Sequence, residues 1–195
     1  MPKRERPKNK FTVLILRGIP GTGKTTLALQ LCRAFRSTFK DFDEARRNCN
    51  CVNRDVVRQN YLNSNECKEI LNGKTLTYQE SFKNATINTI IRDEYFSEIG
   101  NKFRTMRFND GESLLVIDST NTKIADLRRI LKIIEPYDFL VENVDYNIYI
   151  LTKRHEHGNV HDVPEKVMNA FRQELKESDE WLNKKFPKKE KITLL

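Results

Sequence analysis

The 195-residue chain has no long apolar run, and hydrophobic residues make up only 38% of it. It therefore offers no stretch of the roughly twenty apolar residues that a membrane-spanning helix needs, and no membrane partner is expected. The first ten residues, Met1-Pro2-Lys3-Arg4-Glu5-Arg6-Pro7-Lys8-Asn9-Lys10, lack the apolar core of a secretory signal. They read as a solvated, disordered arm, or alternatively as a nucleic-acid-contacting tail or weak nuclear address. Cysteine is sparse: Cys32, Cys49, Cys51 and Cys67. Cys49-x-Cys51 and His155-x-His157 do not have the spacing of a common structural zinc site. Reduced, buried thiols in an intracellular protein, cytoplasmic or nuclear, account for them better. Internal repeats and low-complexity segments are missing. Glycine is scarce too, seven in all, yet three of the seven fall between positions 18 and 23.

Acidic residues are outnumbered by basic ones, 27 against 35, which leaves a net charge of +8 and a pI near 9.3. Such a surface concentrates polyanions and is screened by salt, so nucleic acid is an expected partner. The length suits one well-buried domain and is short for two. We assign residues 1–10 to the arm, 11–186 to the domain and 187–195 to a charged tail.

Apolar runs and periodicity order the domain. Phe11–Leu16 and Ser113–Asp118 are apolar and β-prone, as buried parallel strands are. Cys49–Val52 and Asp138–Val144 read as further strands, and residues 147–157 suit strand or helix. Helices are expected over Lys24–Ser37, Val56–Leu62, Thr77–Ile99 (stopped by Gly100), Thr122–Ile134 and from Pro164 to Lys184. Residues 40–47 read as a surface connection and 63–73 as a flexible polar region. Strands alternating with helices give an α/β fold of the three-layer sandwich type around a central parallel sheet.

The glycine cluster lies between the first strand and first helix, as Gly18-Ile19-Pro20-Gly21-Thr22-Gly23-Lys24-Thr25-Thr26. This is the G-x-x-x-x-G-K-[ST] pattern of a phosphate-binding loop. Small residues let the backbone wrap a phosphate, with N–H groups and the positive end of the helix dipole facing it. Lys24 would supply a cation to the β- and γ-phosphates of ATP, and Thr25 a hydroxyl ligand for Mg²⁺.

Two carboxylates stand at expected strand ends, where a doubly wound sheet opens its ligand crevice. Asp118 can support Mg²⁺ beside Thr25, or serve as a turn or helix-capping aspartate. Asp55 can take the proton of an attacking hydroxyl. Arg58, one helical turn on, can pair an acceptor phosphate or form a plain surface pair with Asp55.

Asn53-Arg54-Asp55-Val56-Val57-Arg58 resembles the N-R-D-x-x-R motif of phage-type polynucleotide 5′-hydroxyl kinases. Asp118-Ser119-Thr120-Asn121 is similar to that family's D-T-N segment, with Arg128-Arg129 in the helix after it. Arg154, Gly158 and Val163-Pro164-Glu165-Lys166-Val167 look like its lid and final helix. The resemblance runs over about residues 11–175 and implies a P-loop kinase fold binding ATP and Mg²⁺. It further implies that Asp55 is the general base and that Asp118 supports the metal. In the same family's terms, Arg58 holds the phosphate 3′ to the attacked hydroxyl of a polynucleotide. Two departures stand out. Asp41-Phe42-Asp43-Glu44-Ala45 lacks the hydroxyl that ends the D-x-D-x-[TS] phosphatase motif of bifunctional members. His157-Gly158 stands where the phage enzyme has arginine before glycine.

The sequence thus points to an ATP-dependent kinase of polynucleotide 5′-hydroxyls. A P-loop kinase of a small hydroxyl-bearing molecule and a nucleotide-binding interaction module are the alternatives. A lid cation is expected from residues 147–158, with Arg154 serving the transition state and His157 hydrogen-bonding ATP.

Overall fold

The computed structural model describes residues 9–106, 109, 111–134, 144–157, 163–186 and 192–194. Most of the arm, most of the tail, Gly158 and all but the last residue of the strand expected at 138–144 lie outside them. Five parallel strands form one sheet: β1 (Asn9–Arg17), β2 (Cys49–Asn53), β3 (Glu112–Asp118), β4 (Val144–Thr152) and β5 (Ile192–Leu194). The spatial order is β2-β3-β1-β4-β5, with β1 at the centre. Eight helices accompany them among the described residues: α1 (Lys24–Arg36), α2 (Phe42–Asn48), α3 (Arg54–Leu62), α4 (Asn65–Ile70), α5 (Tyr78–Ser81), α6 (Ala85–Met106), α7 (Ile124–Ile134) and α8 (Glu165–Lys185).

Alternation along β1 and β3 explains the layers. Val13, Ile15, Leu115 and Ile117 face a core built with Ile87, Ile91 and Ile99 of α6 and Leu127 and Leu131 of α7. Leu14, Leu16, Leu114 and Val116 face the other way, onto Ala28 and Cys32 of α1. Both faces of the sheet are covered, so its strands read as unbroken apolar runs. The expected three-layer α/β sandwich is what forms. No described helix is long and apolar enough to cross a membrane.

Several local expectations differ. Residues 40–47 hold α2, because the Asp41 side chain accepts from the Glu44 N–H at 2.7 Å and Arg46 and Arg47 complement the helix C-terminus. Within 63–73, Ser64 caps α4 by accepting from the Cys67 N–H at 3.1 Å. The long helix expected over 77–99 is two: α5 begins with a Thr77–Glu80 capping box, and Asn84 restarts the chain by accepting from the Ile87 N–H at 3.0 Å. Gly100 does not stop α6. It lies inside that helix, where a Cβ would meet Ile133 Cγ2 of α7 at an ordinary 3.6 Å, so neither termination nor packing requires a glycine there. Residues 147–152, open between helix and strand, belong to β4, held by nine register pairs with β1. Ile192–Leu194, within the stretch read as charged tail, adds β5 beside β4.

The order matters for function. The chain leaves β1 for β2, and β3 fills the gap between them. The C-terminal ends of three strands therefore meet, with Leu16 and Asn53 both in register with Asp118. Ligand crevices of open α/β sheets form at such a place.

Candidate nucleotide and acceptor site

β1 runs into the glycine loop, which needs a backbone that side chains disfavour. Gly18, Gly21 and Gly23 have φ of 143°, 79° and 74°. A Cβ on Gly18 would lie 2.4 Å from the Lys153 carbonyl oxygen, and one on Gly23 would touch His157 Cδ2 at 3.4 Å. Ile19 anchors the loop by packing on Met168 and Leu175 of α8. Pro20 and Thr22 continue it, and Thr26 is exposed in the first turn of α1.

Lys24 opens α1 and is only 8% exposed. Its Nζ donates to the Ile19 carbonyl at 2.7 Å and to Thr22 Oγ1 at 3.2 Å, so the cation is folded into the loop. Burial pushes its pKa down to about 8, against the opposing pull of Asp118 and Asp55. The next residue, Thr25, hydrogen-bonds the Asp118 carboxylate, which also accepts from Asn53 Nδ2 at 2.5 Å. Burial raises the Asp118 pKa, and these two bonds oppose the rise.

Thr25 and Asp118 bring two hard oxygen donors together, the chemistry Mg²⁺ selects. Among the described residues no group of three or more His, Cys, Asp or Glu side chains could hold a metal. A magnesium ion here would take its remaining ligands from phosphate and water, as this ion ordinarily does.

The acceptor side is built on α3. Asn53 caps that helix by accepting from the N–H groups of Asp55 and Val56 at 2.8 and 3.0 Å. One asparagine thus ties the helix start to the Asp118 carboxylate. Asp55 is exposed, and its Oδ1 accepts from the Tyr78 hydroxyl at 2.7 Å. Arg58 is neither an exposed clamp nor a surface partner of Asp55. It is 3% exposed, donates from Nη1 to Ser81 Oγ and from Nη2 to Asn88 Oδ1 at 2.9 Å each, and packs 3.9 Å from the Phe82 ring centroid.

Residues 153–157, between β4 and α8, are tethered along their length. The Lys153 N–H donates to the Arg17 carbonyl at 2.8 Å and the His157 N–H to the Gly21 carbonyl at 2.9 Å. Glu156 takes a two-pronged bond from Arg172 at 3.1 and 2.9 Å. Arg154 pairs with Asp179 of α8 at 2.7 Å, an aspartate that also binds the buried Arg17. His157 therefore packs on the phosphate loop, and Arg154, expected there, is engaged with α8.

A family model described as an AAA domain matches residues 13–178. The chain belongs to the AAA domain family. A search of curated proteins finds no match. Among solved structures, this AAA domain is similar to a gluconokinase from Sinorhizobium meliloti at 10% identity, covering 98% of this chain and 83% of that one, with a TM-score of 0.42. A thymidylate kinase from Ehrlichia chaffeensis is similar at 15% identity, with 97% and 93% covered and a TM-score of 0.46. An APS kinase from Mycobacterium tuberculosis is similar at 12%, with 89% and 99% covered and a TM-score of 0.42. At these identities the likeness is one of fold.

Sequence reasoning named the loop, Asp55 and Asp118, and the AAA domain gathers them at the C-terminal ends of β1, β2 and β3. It gave no role to Asn53, Tyr78, Phe82, Asn88 or Asp179. Asn53 alone carried a usable signal, an asparagine between strand and helix.

Proposed function

We propose that this AAA domain is an ATP-dependent kinase that phosphorylates a hydroxyl on a small acceptor, with Asp55 as general base. The observation that carries this reading is geometric: Asn53 donates to Asp118, the carboxylate bonded to Thr25, and accepts from the N–H of Asp55. An exposed carboxylate, Asp55, therefore begins α3 two residues beyond Asn53, the strand end in register with Asp118.

In the proposed reaction the acceptor O–H gives its proton to Asp55 while its oxygen attacks Pγ. The bond from Pγ to the bridging oxygen breaks, and ADP leaves. Lys24 leaves the Ile19 carbonyl for the phosphate oxygens, and the loop N–H groups hold the β-phosphate. Thr25 and Asp118 would hold Mg²⁺, which when bound neutralises charge on the β- and γ-oxygens. His157 closes over the loop from Gly21.

A small acceptor is favoured over a strand end because Arg58, the expected phosphate clamp, has both terminal nitrogens bonded to Ser81 and Asn88. The polynucleotide 5′-hydroxyl is the second reading, supported by the net charge of +8 and the N-R-D-x-x-R spacing.

Incubation with γ-labelled ATP, Mg²⁺ and a panel of sugars, nucleosides and 5′-hydroxyl oligomers tests both. Label on a small acceptor is the expected result. Label on oligomers alone, with a KM that climbs steeply with salt, selects the second reading. ATP binding with no labelled acceptor would overturn both in favour of an interaction module.

A further inference from the structure

We propose that Phe82, backed by Arg58 and edged by Tyr78, is a stacking platform for a planar aromatic ring on the acceptor, so that the hydroxyl presented to Asp55 belongs to a nucleoside unit. The inference rests on the reading of Asp55 as the acceptor-side base.

Phe82 is 48% exposed, yet it is firmly held. The Arg58 guanidinium lies 3.9 Å from its centroid and the Tyr78 ring meets it edge-on at 5.1 Å and 79°. Asn88 fixes its backbone, donating from Nδ2 to the Phe82 carbonyl at 2.6 Å while its Oδ1 accepts from Arg58 at 2.9 Å. The Thr77–Glu80 capping box sets the helix that carries Tyr78. A ring so fixed loses little freedom when a ligand stacks on it. A guanidinium packed on an aromatic face is attracted by the ring's electrons, which explains why a buried arginine carries the phenylalanine.

The platform is joined to the chemistry by direct contacts. Tyr78, edge-on to Phe82, donates its hydroxyl to Asp55 at 2.7 Å. Asp55 and Arg58 lie three residues apart on α3, and so about 4.5 Å apart along its axis. Tyr78 alone stands between the two, its hydroxyl on Asp55 and its ring centroid 5.1 Å from that of Phe82, so one nucleoside unit is long enough to bridge them. Nucleosides have this arrangement, with a hydroxyl on one side of the sugar and a π-face on the other. A sugar or sugar acid leaves Phe82 unused. Free nucleosides and the terminal nucleotide of a strand share this chemistry.

The test uses the full chain with Phe82→Ala and Phe82→Trp. The acceptors are a nucleoside, a 5′-hydroxyl trinucleotide, the same trinucleotide lacking its first base, and ribose. Phe82→Ala is expected to raise the KM of the base-bearing acceptors roughly tenfold or more, leaving the abasic acceptor and ATP unchanged. Phe82→Trp is expected to restore the KM. Its added fluorescence, taken relative to wild type, should be quenched without ATP by the base-bearing acceptors and not by ribose. Quenching by the nucleoside assigns a free ligand, and quenching by the trinucleotide alone assigns a strand end. An equal KM rise for based and abasic acceptors, or no quenching by either base-bearing ligand, overturns the platform. The fluorescence arm needs no turnover, so failure of the kinase reading is seen separately, as quenching without phosphorylation.

Discussion

Lys24 in the phosphate loop and Arg58 on the acceptor side are both buried cations, but they are kept in opposite ways. Lys24 bonds to one backbone carbonyl and one hydroxyl of its own loop, and among the described residues it forms no ion pair, feeling Asp118 and Asp55 only through their field. Burial lowers the pKa of both. Arg58 spends both terminal nitrogens on side chains from 23 and 30 residues away and covers its face with Phe82. A lone ammonium held by weakly competing acceptors is free to move to phosphate. A guanidinium with fixed partners is architecture. The donor half of the site is therefore poised for a ligand, and the acceptor half is a rigid surface that orients one.

The largest test of this contrast lies between the halves. Asp55→Asn keeps the size of the side chain and can still accept from Tyr78, but it cannot take a proton. Turnover is expected to fall by on the order of 10³-fold, the scale of general-base loss, with ATP affinity retained. A variant with normal turnover would show that no acceptor proton passes to this residue.

Lys24 comes next. Lys24→Ala is expected to lower turnover by on the order of 10²-fold while leaving the fold intact, since Nζ bonds only within the loop. Its burial also predicts a pH effect on the metal- and nucleotide-free protein. The folded pKa of about 8 lies below the ordinary 10.5, so between these values the unfolded chain binds a proton that the folded one lacks. Wild-type stability should rise with pH across that window relative to Lys24→Met, whose advantage, up to about 3 kcal/mol below pH 8, should fade as pH climbs. Urea titrations of both proteins at pH 7 and pH 10 in EDTA measure it. A constant difference would mean that the ammonium is not desolvated.

Arg58 should behave differently. Arg58→Lys keeps the charge but loses the fork that reaches Ser81 and Asn88 together. We expect a loss of about 1–3 kcal/mol in denaturant stability with the KM for ATP unchanged. A variant that is fully stable but poor in acceptor binding would return Arg58 to the role of a ligand clamp.

The same contrast decides what could be read in advance. The donor half is made of backbone, and backbone has sequence signatures: glycines where φ must be positive, an apolar strand before them, and a carboxylate at the end of Ser113–Asp118. The acceptor half is made of side chains that meet across α3 and α5. Spacing puts Arg58 beside Asp55, but only the packing of Phe82 and Ser81 decides that it is buried. Polar composition concealed α2 and α4, although Asp41 and Ser64 were available as caps. Gly100 misled because α6 runs through it to Met106, and a glycine inside a helix looks locally the same as one that ends it. The three residues of β5 are too few to show an alternation.

The smallest expected effect concerns the segment over the loop, where sequence spacing and placement part company. Arg154 is paired with Asp179, while the His157 N–H bonds Gly21 and its ring packs on Gly23. A side chain already against the loop can donate to a bound phosphate without rearrangement, whereas Arg154 must first break an ion pair that also neutralises Asp179 beside Arg17. That pair is mostly exposed on the Arg154 side, so its loss costs little. His157→Ala should therefore raise the KM for ATP roughly tenfold, the value of one hydrogen bond to a charged group, and Arg154→Ala should change it little. His157→Asn, which keeps a donor on a short side chain, should recover part of the loss. Steady-state kinetics on the three variants decide the matter: a large kcat loss in Arg154→Ala with His157→Ala unaffected would return the role to the arginine and require the Asp179 pair to open during the reaction.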